Sequence, residues 1–422
     1  MNVRRLALEA ISKIMDNKAF ANKVVSNYLN KFEMSKEDKA LFTNIVYGTI
    51  QYYLTLKFYI EPFLSKKKTK NWVQHLIYMS IYQLVYLDIP EYAAVNEAVE
   101  IANLRDRSIG KFVNAVLRNF LRNPKRDFEN LDDILRLSIK YSHPSWLVAF
   151  FLKDYEYDVV TKILEENIRV KNDGYRVNTL LIKKEEILSL FNKEKIKYFE
   201  SKLVENGISF KDPMINSKFF KKGYITVQDF SSQLVSEVLN PKPGSVVIDL
   251  CAAPGGKTAH MAALMNNEGI IHSCDISTKK SNIMNTNFKR LGVKIAKIQL
   301  IDARIISEYV KEESVDYILA DVPCSGLGVL SHKVDLKYHI NLKSISEIIK
   351  LQEEILESSS KLLKVGGYYL YSTCTLNKDE NEKQINKFLL KNKNFSKEFE
   401  KTILPYEYNC DGFYICKLRR IN

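Results

Sequence analysis

The sequence predicts a multidomain chain in which an all-α helical bundle is followed by a small α/β insert and then by a doubly wound α/β domain. Three observations predict it. From residue 4 to about 122, apolar residues recur at i, i+3, i+4 and i+7 with few Gly or Pro. From 175 to 227, short alternating stretches surround one helix. From Gly244 onward, β-type runs alternate with helical segments, the pattern of a parallel sheet with crossover helices. A length of 422 residues suits two or three domains at ~150 residues each. With 46 % hydrophobic and 27 % charged residues, disordered and collagen-like chains are excluded.

In the bundle, Leu6, Ile11 and Ile14 line a first helix. Further helices are expected over Lys36 to Tyr53, Trp72 to Leu87, Ala93 to Leu104 and Ile109 to Leu121, bounded by breaks such as Ile89-Pro90. After Asn123-Pro124 comes an Asp-rich connector, then a helical stretch from Pro144 to about Asn167. The insert is expected as strands Tyr175 to Leu181, Phe199 to Leu203 and Gly223 to Val227 around a helix at Lys184 to Asn192. The last domain is expected as strands Ser245 to Leu250, Gly269 to Cys274, Lys294 to Leu300, Val315 to Leu319 and Tyr368 to Ser372. Phe413 to Leu418 is a closing strand paired with the stretch before it. No repeat or low-complexity tract interrupts this order.

Lys+Arg 63 against Asp+Glu 50 gives +13, a balance that favours polyanionic partners. Residues 1–125 hold 19 basic and 11 acidic residues, so +8 of that excess lies in the bundle, as a nucleic-acid face or as a merely solvated surface. The longest apolar run, Trp146 to Leu152, is far below the ~20 residues that span a bilayer. Residues 1–5 mix charge with apolar residues, unlike the apolar core of a secretory signal, so a cytosolic protein without membrane contact is expected. The cysteines at 251, 274, 324, 374, 410 and 416 form no CxxC pair and have no His at zinc spacing. Thiols are expected, and no metal.

The chemistry gathers at predicted strand ends. Cys251-Ala252-Ala253-Pro254-Gly255-Gly256-Lys257 is a Gly-rich turn at the carboxyl end of the first strand of an open sheet, where ligands bind. It is neither GxGxxG nor a phosphate-cradling P-loop. Asp275, 26 residues past Asp249, ends the second strand, where Rossmann-like folds carry a carboxylate for ribose hydroxyls. Asp302 ends the third strand and could accept from an adenine amino group. Each Asp alone is more often a turn or N-cap residue; together, in register, they favour a nucleoside site. Asp321-Val322-Pro323-Cys324-Ser325-Gly326 and Ser372-Thr373-Cys374-Thr375 bring two cysteines to the same sheet edge. A buried cysteine is ordinarily a small hydrophobe. Two at adjacent strand ends point instead to a soft nucleophile, able to add to C6 of a pyrimidine and activate C5, provided its pKa is lowered locally.

In that order, CAAPGGK, DVPCSG and STC resemble the Nol1/Nop2/Sun family of S-adenosylmethionine-dependent RNA cytosine-C5 methyltransferases, from about Tyr141 to the end. The helical segment before them is similar to the NusB-like RNA-binding domain fused to the bacterial 16S ribosomal RNA branch of that family, the RsmB or Sun type. The resemblance implies a NusB-like helical domain over 1–125, a connector over 126–140 and a family-specific subdomain over 141–235. A Rossmann-like methyltransferase domain would follow over 236–422. It implies S-adenosyl-L-methionine as methyl donor, held by Cys251 to Lys257 with Asp275, Asp302 and Asp321. It further implies Cys374 as the nucleophile, Cys324 as assisting release of the methylated base, and Asp321 as also facing the cytosine ring. Gln228 to Gln233 and Asp411-Gly412-Phe413 resemble further family motifs. Val334-Asp335 departs from the Pro-Asp frequent in relatives. The expected reaction is methyl transfer to C5 of a cytosine in 16S ribosomal RNA. The alternatives are the same chemistry on transfer or 23S ribosomal RNA, or a non-catalytic RNA-binding antitermination factor.

Overall fold

Apolar residues at helical spacing bury one face of each front helix against its neighbours. In the computed structural model, which describes residues 2–64 and 69–422, the chain divides into two units. One takes the residues up to Arg169 together with Leu330–Ile340; the other takes Val170–Val329 and Asn341–Asn422. Within the expected 1–125 domain, residues 1 and 65–68 lie outside the described residues.

The first unit is helical. Its core joins Leu6, Ile11 and Ile14 of the helix Val3–Asp16 to Phe42, Ile45, Leu76, Ile77, Val113 and Leu117. The helix expected over Lys36 to Tyr53 breaks at Tyr52, giving Lys36–Gln51 and Tyr53–Ile60. The stretch from Pro144 also divides, into Ser145–Leu152 and Tyr157–Ile168. The N–H groups of Asp154 and Tyr155 close onto Phe151 O, and Glu156 is extended. The connector holds a helix, Asp133–Lys140, capped by Asp132, which accepts from Leu135 N at 2.9 Å.

Residues 330–340 complete this unit, and Val334 joins its core. The helix Ala21–Lys31 has no local side-chain cap; Asp335 supplies one across 314 residues, its Oδ2 accepting from Ala21 N at 3.1 Å. At the end of Lys36–Gln51, Lys337 Nζ donates to Gln51 O at 2.9 Å, a cation on orphan carbonyls. Burial lowers that ammonium's pKa to about 7.

The second unit contains two sheets. The strands β1 (Gly174–Val177), β2 (Tyr198–Glu200), β3 (Gly207–Phe210) and β4 (Ile225–Val227) form an antiparallel sheet in the order β2-β3-β1-β4. All four residues of β3 are buried, so it lacks the alternation that marks a half-exposed strand, and it was not expected. The larger sheet comprises β5 (Val246–Asp249), β6 (Ile270–Cys274), β7 (Ala296–Gln299), β8 (Val315–Asp321), β9 (Leu363–Thr373), β10 (Phe395–Ile403) and β11 (Phe413–Arg420). Its order is β10-β11-β9-β8-β5-β6-β7, with β5 to β9 parallel and β10 and β11 antiparallel at one side. Consecutive apolar residues enter opposite cores: Ile248, Ile318, Tyr369 and Tyr414 one, Val247, Leu319, Leu370 and Ile415 the other. Both faces are therefore covered. Strand order reverses between β5 and β8, which marks the carboxyl ends of those strands as the ligand crevice.

Candidate active site

After Asp249 ends β5, the chain turns through Cys251 to Gly255 into the helix Gly256–Leu264. Ala252 N donates to Cys274 O at 2.9 Å and Gly255 N to Ala252 O at 2.7 Å, which closes the turn. Gly255 has φ +96°, and a Cβ there would lie 2.8 Å from Phe288 Cε1, so only glycine suits. At Gly256 a Cβ would meet nothing closer than Gln228 Cδ at 4.0 Å, so the backbone borders open space. Asp249 Oδ2 accepts from Thr258 Oγ1 at 2.6 Å, while its Oδ1 is buried without a partner. Burial pushes this carboxyl up to about 7.

Asp275 follows β6. Its Oδ1 accepts from Ser277 N at 2.9 Å, and Lys280 Nζ stands 3.7 Å from Oδ2. Asp302, three residues past β7, is engaged by its own loop: Arg304 Nη2 donates to Oδ2 at 2.6 Å and Arg304 N to Oδ1 at 2.9 Å. Those bonds hold its pKa below the usual carboxylate value. Ile276 and Leu300, beside these carboxylates, are 73 % and 53 % exposed. Neither was expected at the site, because isolated apolar residues at strand ends read as core.

β8 ends at Asp321 and β9 at Thr373, and the two strands are paired in parallel with Asp321 opposite Ser372. The loops that follow bring Cys324 Sγ and Cys374 Sγ to 3.1 Å. The hydrogen bond to Cys374, then burial and the Glu380 charge, push the Cys324 thiol well above its ordinary pKa. Lys257 turns from the Gly-rich loop to this point: its Nζ donates to Asp321 Oδ2 at 2.7 Å, while Ser372 Oγ donates to Oδ1 at 2.8 Å. Burial disfavours the Lys257 ammonium, but Asp321, Cys374 and Asp249 outweigh it and raise its pKa. Lys257 thus sits in the field of both the cofactor loop and the cysteines.

Backbone contacts lock these loops together. Gly328 N donates to Cys374 O at 3.0 Å, and Gly412 N donates to Gly328 O at 2.8 Å. Asp411 N in turn donates to Asp229 Oδ2 at 3.2 Å, and Asp229 caps the helix Phe230–Leu239. The motifs at 228–233 and 411–413 thereby meet behind the cysteines.

Family models match along the chain: NusB family over residues 1–122, the RsmF/B-like ferredoxin-like domain over 143–215, and 16S rRNA methyltransferase RsmB/F over 236–419. A probable ribosomal RNA small subunit methyltransferase B from Bacillus subtilis is 36 % identical over 441 residues, covering 99 % of each chain. This chain belongs to the RsmB/F methyltransferase family. A ribosomal RNA small subunit methyltransferase B from Proteus mirabilis is 30 % identical, again with 99 % of each chain covered. The crystal structure of PH0851 superposes with TM-score 0.82 at 26 % identity, covering 100 % of this chain and 99 % of that one. NSun6 from Pyrococcus horikoshii, solved with SFG, gives TM-score 0.61 at 25 % identity over 66 % of this chain and 98 % of that one.

As an RsmB/F member, the chain is an S-adenosylmethionine-dependent RNA methyltransferase with a NusB-like helical domain, a ferredoxin-like domain and a Rossmann-like catalytic domain. The residues fit the methyl donor: an open glycine backbone at Gly256, the unpartnered Asp249 Oδ1, a carboxylate at Asp275, and exposed apolar Ile276 and Leu300 for a flat ring.

The first unit carries a basic face. In the helix Arg107–Arg122, Arg107, Lys111, Arg118 and Arg122 are exposed, and their spacing puts all four on one side. None has an acidic partner among the described residues. Other basic residues of this unit are engaged: Arg105 lies over the Trp72 ring at 4.3 Å, Arg4 Nε donates to Gln83 Oε1 at 2.7 Å, and Arg5 Nε to Glu9 Oε1 at 3.5 Å.

Proposed function

We propose that this methyltransferase modifies C5 of a cytosine in 16S ribosomal RNA, through a covalent bond between Cys374 and C6 of the base. The observation that carries this reading is the pair of sulfurs 3.1 Å apart at neighbouring strand ends, with the Lys257–Asp321 pair beside them. C5 of cytosine is a poor nucleophile until a thiolate adds to C6, so a soft nucleophile is what the chemistry requires. The Lys257 ammonium lies within electrostatic reach of Cys374, and the Glu380 charge favours the thiol of Cys324, which supports giving the two sulfurs different roles.

In the step assigned to Cys374, its thiolate forms a bond to C6 and the C5–C6 double bond becomes single. The electron pair is taken up across C5 and N3, and the proton that N3 gains passes through Asp321, which faces the ring, from the Lys257 ammonium bonded to it. S-adenosylmethionine would be held by Cys251 to Lys257 with Asp275, Asp302 and Asp321; its methyl group would bond to C5 as the methyl–sulfur bond breaks and S-adenosylhomocysteine leaves. The C5 proton then passes to a solvent water, the C6–S bond breaks with its electron pair returning to Cys374, N3 gives its proton back through Asp321, and the C5–C6 double bond is restored, a release that Cys324 serves. The cytosine must be splayed out of its stack, because C6 is inaccessible inside a helix.

In this reading, 1–125 adds RNA affinity through the Arg107 to Arg122 face, 126–140 links it on, 141–235 supports the fold and 236–422 holds the chemistry, in the cytosol. The names of the Bacillus and Proteus relatives support a small-subunit substrate. The test is incubation with unmodified 16S, 23S and transfer RNA followed by bisulfite sequencing. One 5-methylcytosine confined to 16S RNA is expected. A modified base other than 5-methylcytosine would overturn the chemistry, and modification of transfer or 23S RNA alone would overturn the substrate.

A further inference from the structure

Six residues beyond Cys374, in the run Asn377 to Glu382, two adjacent polar side chains are fully buried: Glu380 and Asn381. Burying polar groups is favourable only when their hydrogen bonds are made, and the partners of these two lie at the cysteines. Glu380 Oε2 accepts from Ser325 N at 2.8 Å and from Gln352 Nε2 at 3.0 Å. Gln352 Nε2 also donates to Pro323 O at 2.9 Å. The backbone is therefore held immediately before and immediately after Cys324. Asn381 brackets the other cysteine, bonding the side chain of the residue before it and the backbone of the residue after it. Its Oδ1 accepts from Thr373 Oγ1 at 2.6 Å, and its Nδ2 donates to Thr375 O at 2.9 Å.

We infer that Glu380 and Asn381 are a pair of positioning residues that divide the two thiols between them: Glu380, with Gln352, sets Cys324, and Asn381 sets Cys374. A cysteine sulfur is one rotatable bond from its backbone, so fixing the residues on both sides determines where it can reach. Because the two residues are neighbours in sequence, the separation of the sulfurs is referred to a single short segment. Two further contacts anchor that segment: Asn377 Nδ2 donates to Glu380 Oε1 at 2.9 Å, and Tyr371 OH donates to Glu380 O at 2.8 Å. Ser325 Oγ and Thr375 Oγ1, 2.7 Å apart, tie the two brackets together. Displacement of a reacting group by ~1 Å is worth ~100-fold in rate, which is the scale on which these bonds act.

This inference rests on the covalent reading above and adds a division that the reading alone does not contain. Asn381→Asp keeps the acceptor for Thr373 but turns a second acceptor toward Thr375 O. Glu380→Gln turns an amide N–H₂ toward donors of Ser325, Gln352 or Asn377. Both variants are isosteric. With unmodified 16S ribosomal RNA, Asn381→Asp should lose covalent RNA adduct and turnover together, by ~10- to 100-fold. Glu380→Gln should form adduct at the wild-type rate but accumulate it while turnover falls. Both should keep the wild-type dissociation constant for S-adenosylmethionine. If either fails to fold by circular dichroism, Thr373→Val and Gln352→Met, each removing bonds from one bracket only, test the same division. Equal loss of adduct and turnover in both variants, or turnover unchanged in both, would overturn the division. Cys374→Ser run in parallel separates the two failures: full turnover there would sink the covalent reading itself.

Discussion

Replacing Gly328 by alanine tests whether the backbone lattice behind the cysteines sets the reaction rate. A Cβ at Gly328 would lie 2.0 Å from Gly412 O, 2.6 Å from Gly412 C and 2.9 Å from Cys374 O. All three are backbone atoms, so no side chain can swing away. To bring the closest contact even to 3.0 Å, the loops must part by about 1 Å. The same movement stretches the bonds from Gly328 N to Cys374 O and from Gly412 N to Gly328 O. Overpacking of this kind costs ~1 to 3 kcal/mol of stability. The displaced Cys374 should cost ~100-fold in turnover, ~2.7 kcal/mol of transition-state stabilisation. The variant should still bind S-adenosylmethionine normally, because none of the atoms that the new Cβ would crowd belongs to the loop from Cys251 to Lys257. The assay is transfer of labelled methyl to RNA, with calorimetry for the methyl donor and a melting curve. Gly244→Ala is the control: φ is +82° there with nothing within 4 Å, at the opposite end of β5 from the site. It should lose ~1 to 2 kcal/mol of stability with turnover intact. A folded Gly328→Ala enzyme within threefold of wild-type turnover would refute the reasoning.

Asp275→Ala should weaken S-adenosylmethionine binding ~10- to 100-fold by calorimetry, through lost hydrogen bonds to a charged acceptor at ~1.5 to 3 kcal/mol; an unchanged constant would remove Asp275 from the site. Asp249 offers a pH test: its folded-state pKa of about 7 is raised above the unfolded value, so its contribution to stability falls as pH rises from ~4 to ~7. Asp249→Asn should therefore gain in melting temperature relative to wild type at pH 8 compared with pH 5, and an identical difference at both pH values would contradict the shift. Charge reversal of Arg107, Lys111 and Arg118 to Glu should weaken RNA binding and flatten the slope of log K against log salt by ~0.7 per lost phosphate contact, and wild-type affinity and slope in a folded variant would exclude that face.

The site was legible where topology alone does the placing. Cys251 to Lys257, Asp275, Asp321, Cys324 and Cys374 follow runs that read as strands, and a doubly wound sheet sends the ends of parallel strands to one edge. The resemblance supplied what each residue would do there; strand periodicity supplied only where. For Asp302, the spacing of acidic strand ends gives no sign of Arg304, two residues on, which donates to the same carboxylate. Glu380 and Asn381 were illegible for a different reason. A run such as Asn377-Lys378-Asp379-Glu380-Asn381-Glu382 reads as a solvated turn, and only tertiary packing makes Asn377, Glu380 and Asn381 interior. The first unit hid its own boundary in the same way. Phe20 gives Ala21–Lys31 no local cap, and the cap comes from Asp335, which nothing near residue 335 announces. Helical periodicity was read through Tyr52 because one non-helical residue scarcely disturbs an apolar stripe.

The most direct test of the covalent mechanism is the amount of protein–RNA adduct on a denaturing gel for Cys324→Ala and for the double variant Cys324→Ala, Cys374→Ala, each given 16S ribosomal RNA and S-adenosylmethionine. With attack intact and release impaired, the single variant should run largely as a shifted, nuclease-sensitive band, and the double variant should show none. Adduct in the double variant, or its absence from a folded single variant that binds the methyl donor, would contradict Cys374 as the nucleophile and Cys324 as the residue that frees it.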